Sequence, residues 1–221
     1  MQRDNLFKWK HYQPDIIVLT VRWYLRYNLS FRALAEIMEE RGLPLAHTTI
    51  MRWVHQYGPE LDERILRHLK QTNDSWRVEE TRIKVKRQWM YLYRAVESEG
   101  NTIDFYLSKK RNHKAAKRFF KKALQPFHVS KPRTITIDKN PAYLVAITKL
   151  KKEKKVPLGT QIRQIKYLNN VVEQDHRFIK KRVRSMLGFK SFGTATYILA
   201  GVEAMHMIKK EFIHQLFGLT G

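Results

Sequence analysis

The apolar residues switch from helical to alternating spacing near residue 76, and that switch limits the fold more than any other feature. Up to residue 66 they recur at helical spacing. Ile16, Ile17, Leu19, Thr20, Trp23, Tyr24 and Tyr27 form one stripe, and Leu34, Ile37 and Met38 form another. From Trp76 onward the pattern alternates. Trp76 to Lys86 and Ile103 to Leu107 alternate, Trp89 to Val96 is aromatic and β-rich, and Glu99-Gly100-Asn101 supplies a hairpin turn. A helix over 112–127, a short strand Thr134 to Ile137, a helix from Pro141 to about Leu150 and a strand over 161–167 follow, then helices over 170–184 and 191–216. Three antiparallel strands and then helix, strand, helix, strand, helices predict an α/β fold, a mixed sheet with helices packed on it. The polar stretch 62–75 reads as a linker and Lys151-Lys152-Glu153-Lys154-Lys155 as a solvated loop rim. The organisation is therefore an all-α domain over 1–70 and a sheet domain over 71–221.

The all-α part carries its own signals. Ser30 is placed to N-cap a helix from Phe31 to Arg41, and Gly42 closes that helix by taking a positive φ. A second N-cap falls near His47 or Thr48, and the helix Thr49 to Tyr57 is expected to stop before Gly58-Pro59. Two short helices joined through Gly42 form a helix-turn-helix pattern over about residues 30–57. Thr48, Thr49, Arg52 and His55 then face a DNA groove, while Ile50, Trp53 and Val54 pack inward. An ordinary helical hairpin has the same pattern.

Charge weighs between them. The formal net charge is +23. Residues 1–70 hold 11 Lys and Arg against 8 Asp and Glu, whereas residues 71–221 hold 32 against 12. A polyanion is the natural partner, because neutralising phosphates releases condensed counterions. Cysteine is absent, which excludes disulfides, thiol catalysis and cysteine-based zinc sites and fits a cytoplasmic protein. No run of about 18 apolar residues is present for a membrane helix, and the first residues lack the apolar stretch of a signal peptide.

Acidic residues stand at three separate places. Asp138 ends the strand Ile135-Thr136-Ile137, where open sheets place their ligands, although Asp138 also suits a helix N-cap. In the helix 170–184, Asn170 and Glu173 form a capping-box pair. At about 100° per residue, Val171, Val172, Phe178, Ile179 and Val183 gather on one face and Glu173, His176, Arg177, Lys180 and Arg184 on the other. Capping explains Glu173 but not the stripe of cations beside it. An acid that holds a metal, flanked by cations that hold phosphates, explains both. Asp175 falls on the apolar face and is expected to find a hydrogen-bonding partner. Glu79 and Glu80 are neighbours on the first strand, so they face opposite sides, and Glu79 shares its face with Thr81, Ile83 and Val85. Carboxylates on separate elements are what a two-magnesium phosphoryl-transfer site needs.

These residues carry a family resemblance. The segments Trp-Tyr-Leu-Arg-Tyr-Asn-Leu-Ser-Phe-Arg (23–32), His-Thr-Thr-Ile-Met-Arg-Trp-Val (47–54), Ile-Asp-Lys-Asn-Pro-Ala-Tyr (137–143) and Lys-Tyr-Leu-Asn-Asn-Val-Val-Glu-Gln-Asp-His-Arg (166–177) resemble those of bacterial insertion-sequence DDE transposases of the insertion-sequence-six family. Asp138 and Glu173 have 34 residues between them, the family's spacing, and Lys180 follows seven residues after the glutamate. The resemblance implies a ribonuclease-H-like, retroviral-integrase-like catalytic core behind an N-terminal helix-turn-helix. It implies Glu79, Asp138 and Glu173 as catalytic and metal-holding residues for two Mg2+ ions, with Mn2+ as a substitute. It also implies double-stranded DNA partners (terminal inverted repeats and target), a homo-oligomer, no membrane, and a bacterial cytoplasm with the protein on the nucleoid when it binds DNA. Lys180, Arg177 and Arg184 fall to the DNA backbone.

The sequence also departs from the pattern. The first catalytic residue of the family is the aspartate of Trp-Arg-Val-Asp-Glu-Thr; here Glu79 stands there, in Trp76-Arg77-Val78-Glu79-Glu80-Thr81. One added methylene moves the carboxylate by roughly 1.5 Å, and a misplacement of about 1 Å costs on the order of 10²-fold in rate. Arg82 replaces a usual tyrosine, Arg87 a usual hairpin glycine and Asn112 a frequent aspartate. Impaired catalysis is the expectation, and a catalytically inactive DNA-binding protein or repressor derived from a transposase is the rival reading.

Overall fold

A computed structural model describes residues 6–8, 10–165, 170–185 and 189–216, with the side chains of 170–176, 185 and 211–216 outside that description. Three strands form an antiparallel meander: β1 (Ser75–Val85), β2 (Gln88–Glu97) and β3 (Thr102–Ser108). Two short strands, β4 (Thr134–Ile137) and β5 (Gln161–Gln164), add in parallel on the other side of β1, giving the order β3-β2-β1-β4-β5. This is the mixed sheet read from the alternation, and the ribonuclease-H-like arrangement that the resemblance implies.

Helices cover both faces. Helices α4 (His113–Ala123) and α5 (Pro141–Lys152) enclose Trp76, Val78, Tyr93, Phe119, Phe120 and Tyr143 on one side. On the other lie α6 (Asn170–Ser185) and α7 (Phe192–Leu216), over Ile83, Val85, Leu92 and Phe105. The amino-terminal helices α1 (Pro14–Arg26), α2 (Phe31–Glu39) and α3 (His47–Leu66) pack outside α7. One apolar cluster runs unbroken from Ile17, Leu34 and Trp53 through Leu199 and Val202 to Leu92 and Phe105. Of the described apolar side chains of α7, Ile198, Leu199, Val202, Met205 and Met207 are buried within the chain, while Tyr197 is 46% exposed. Among the described residues no helix is long and apolar enough to cross a membrane.

The α2–α3 pair follows its sequence signals, with two corrections. The Ser30 hydroxyl accepts the Ala33 N–H at 3.0 Å, and Gly42 takes φ +73° in the turn. Ile50, Trp53 and Val54 are buried. The cap of α3, however, is Ala46 and makes no side-chain cap bond; its carbonyl accepts from Thr49 at 2.9 Å instead. Nor does α3 stop at Tyr57. It continues through Gly58 and Pro59 to Leu66, so the expected linker begins in helix. A proline inside a helix costs about 3 kcal/mol. Here burial against α7 outweighs it, since a Cβ on Gly58 would stand 2.5 Å from the Tyr197 carbonyl oxygen.

Smaller differences have local causes. The helix expected over 112–127 ends at Ala123, ahead of Pro126, which has no N–H to give. Helix α5 takes in Lys151 and Lys152, cations placed favourably at its carboxyl end, so the charge run is loop only from Glu153. Glu153 pairs with Lys117 and Lys121 of α4.

One buried polar link ties sheet to helix. Arg94 of β2 meets Glu203 of α7 with Nε 2.7 Å from Oε1, both side chains fully shielded, and its Nη2 also donates to Thr102 at 3.1 Å.

Candidate active site

The pleat of β1 decides which acids go where. Trp76 and Val78 point into the core under α4 and α5, while Ile83 and Val85 point into the core under α7. Alternation therefore carries Glu80 toward α4 and α5, and Glu79 toward the side of α6, on the face of Thr81, Ile83 and Val85 as expected. Glu79 is half-buried.

Asp138 is the first residue past β4, which lies parallel to β1. Its Oδ1 accepts the Asn140 N–H at 2.9 Å. The cap of α5, the competing role for Asp138, belongs to Asn140, whose Oδ1 accepts from the Ala142 N–H at 3.0 Å.

Sequence reasoning missed the partners of Glu80. Its nearly buried carboxylate forms an ion pair with Arg111, from the connection between β3 and α4. The Asn140 Nδ2 reaches it at 3.5 Å. Burial pushes the Glu80 carboxyl above its ordinary pKa, Arg111 opposes that, and the negative charge of Asp138 adds to it. Behind it stand Tyr93 and Tyr143, rings 6.1 Å apart edge to face, both phenols raised chiefly by burial. No spacing signal marks Arg111. Only the departure at Asn112 drew attention to that loop, and Asn112 still caps α4 by accepting the Ala115 N–H at 2.9 Å.

A cleft of about 1890 Å³ brings the pieces together. Its walls include Glu79, Glu80 and Asp138, with Lys180 and Arg184 from α6. Helix α6 packs against β1, burying Ile179 and Val183 and leaving Arg177, Lys180 and Arg184 exposed, as the helical arithmetic predicts. Arg177 lies outside the cleft walls. From α3, Thr48 and His55 reach the same cleft, whereas Thr49 and Arg52 do not line it. Burial lowers the pKa of His55. Glu173 occupies the first turn of α6, but its side chain, like those of Asp175 and His176, lies outside the described residues, as do Tyr167 and Asn169 altogether.

Among the described residues no group of three or more His, Cys, Asp or Glu side chains could hold a metal ion. The described acids on the cleft wall, Glu79, Glu80 and Asp138, are oxygen donors, and their chemistry suits a hard divalent cation.

Residues 73–212 match the DDE domain of IS240-type transposases. Over 94% of its length the chain is 39% identical to the transposase for insertion sequence-like element IS431mec of Staphylococcus aureus, covering 90% of that protein. Identity is 38% over the same share of the chain to the transposase for insertion sequence element IS257 in transposon Tn4003, also from Staphylococcus aureus. The catalytic core domain of BIV integrase shows 19% identity and a TM-score of 0.46, covering 65% of this chain and 98% of that one. The chain belongs to the DDE transposases, a family of polynucleotidyl transferases.

Proposed function

We propose that this transposase binds the terminal inverted repeats of an insertion sequence and cuts and joins DNA strands in the cleft between α3, β1 and α6. One observation carries the reading: Glu79, Asp138 and the cation Lys180 line a single cleft in a chain of net charge +23.

Glu79, Asp138 and Glu173 would hold the two divalent ions, magnesium first. Bound there, such ions clamp the attacking and leaving oxygens of an in-line displacement. The chain's own part is positioning. Asn140 holds the Asp138 carboxylate through its N–H, and the Glu80–Arg111 pair secures Asn140 from the other side. Lys180 and Arg184 hold phosphates beside the scissile bond, with Arg177 further along the backbone. Thr48 and His55 share the cleft wall with the acids, so the DNA that α3 contacts is the DNA being cut. Thr49 and Arg52 meet a flanking stretch of the same duplex. Function as a homo-oligomer belongs to the same reading.

Glu79 sets the rate. Its extra methylene displaces the carboxylate, so catalysis is impaired relative to an aspartate. The test is strand transfer with oligonucleotides bearing the element's ends. Glu79→Asp should raise product formation, and Asp138→Asn should abolish it. No gain from Glu79→Asp would overturn the impairment. Duplex binding without any nicking, in the unmutated chain and in Glu79→Asp alike, would favour the second reading, a DNA-binding repressor, which the substitution at Glu79 supports.

A further inference from the structure

We propose that the outer face of α4 and α5 holds a second DNA duplex by its phosphates, apart from the duplex in the cleft, an inference that rests on the strand-joining reading above. Residues 109–155 hold 16 Lys and Arg against two acids, Asp138 and Glu153, a net of 14 out of the chain's +23. Neither α4 nor α5 contains an acid. The apolar sides of both helices are spent on the core, Ala116, Phe119 and Phe120 from α4 and Tyr143, Ala146 and Ile147 from α5. At about 100° per residue, Lys114, Arg118 and Lys121 share the outward stripe of α4. Lys149 and Lys152 stand exposed on the outward side of α5.

Helix dipoles do not account for this row. A cation favours a carboxyl end, which suits Lys121, Lys149 and Lys152. Lys114, however, lies in the first turn of α4, where the dipole opposes it. Lys114 and Arg118 stand four residues apart, as do Lys117 and Lys121, and like charges at that spacing repel. Glu153 is shared between Lys117 and Lys121, so the stripe keeps an excess of positive charge. A polyanion laid along it relieves the repulsion, whereas the same face of a second copy would add to it.

Shape selects the polyanion. Helices α4 and α5 pack against each other, and packed helices have axes about 8–10 Å apart. Two rows of cations near that spacing suit the phosphate rims of a B-form major groove, about 12 Å wide. The major groove of A-form RNA is deep and narrow, a poorer match. Lysines predominate in the rows, and lysine meets phosphate as a point charge, so the face holds backbone and reads no base. The cleft draws no wall residue from α4 or α5. The sheet stands between α4 and α5 on one side and α6 on the other. A duplex in the cleft therefore leaves this face open.

The test uses the full chain, a duplex bearing the element's end fixed to beads, and a labelled duplex of unrelated sequence. The unmutated chain should carry the labelled duplex onto the beads. A variant combining Lys114→Gln, Arg118→Gln, Lys149→Gln and Lys152→Gln should lose that capture on the order of 10-fold or more, and the slope of log affinity against log salt for the labelled duplex should flatten by about three to four units. Its hold on the end duplex and its nicking should stay as they were. Lys114→Arg, Lys149→Arg and Lys152→Arg together, which keep the charge, should keep the capture. Equal capture by the glutamine variant, as bridging through two clefts of an oligomer would give, overturns the second site while leaving the strand-joining reading intact. So does an equal loss of both duplexes, or displacement of the labelled duplex by an RNA hairpin more readily than by unlabelled duplex. Failure of the unmutated chain to hold the end duplex overturns that reading and the second site with it.

Discussion

Gly58 of α3 and Gly201 of α7 meet where the two helices cross: a Cβ on Gly201 would lie 3.0 Å from the Gly58 Cα. That contact joins the amino-terminal helices to the layer over the sheet. Alanine at position 58 would gain about 1 kcal/mol of helix propensity, yet its Cβ would stand 2.5 Å from the Tyr197 carbonyl oxygen, a backbone atom that cannot swing aside. Overpacking of this kind costs about 1–3 kcal/mol. Gly58→Ala should therefore lower the urea midpoint. An unchanged or raised midpoint would mean that the helices separate at little cost.

The β1–β2 turn stores strain. Lys86 and Arg87 take φ +49° and +63° in a two-residue loop, a conformation suited to Asn-Gly. A left-handed residue with a Cβ costs roughly 1–2 kcal/mol. Arg87→Gly should raise the melting temperature by an amount equivalent to about 1 kcal/mol, part of the relief being lost to the freer unfolded chain. A fall in melting temperature would show that the Arg87 side chain contributes more than its backbone costs.

Burial of Asp62 in α3 sets the sign of a pH dependence of stability. Burial, with help from Asp104 and Glu203 and against Lys122, pushes its carboxyl up to about 7. The folded state then keeps a proton that the unfolded chain has released, so stability falls as pH rises from the ordinary carboxylate value, 3.8, to about 7 and is level above that. Asp62→Asn removes the charged form. Its urea midpoint at pH 8 should exceed that of the unmutated chain, and the two should converge near pH 4. Parallel curves at both pH values would assign the dependence to other groups.

What could be read in the sequence followed local rules. The alternation from Trp76 and the helical stripes placed the five strands and seven helices of the described residues, because each pattern is set by neighbours a few residues away. The cation stripe of α6 was legible for the same reason. What was missed involves distant partners. Gly58 and Pro59 read as a stop because their local cost is evident, whereas the α7 surface that outweighs it comes from residues near 200. Arg182 carries no sign of burial in its own segment, yet its guanidinium lies 5.0 Å from the Tyr24 ring centroid and its Nε 3.4 Å from the Leu25 carbonyl. In the cleft, Asp138 was legible as the residue that ends β4 and Glu79 through the family resemblance, but the Glu80–Arg111–Asn140 set depends on the connection between β3 and α4.

Lys180 separates the roles of cation and acid on the cleft wall. It is exposed, two turns along α6 from Glu173, and lines the cleft with Asp138. A lysine on a phosphate contributes about one unit to the slope of log affinity against log salt. Lys180→Ala should therefore weaken duplex binding uniformly across sequences and flatten that slope by roughly one unit. Manganese affinity, read by calorimetry or by paramagnetic broadening, should stay as it was, since an ammonium gives no lone pair to a metal. Asp138→Asn should do the reverse, losing manganese while keeping duplex affinity. Equal loss of both ligands in Lys180→Ala would mean that the lysine holds the carboxylates in place rather than the DNA.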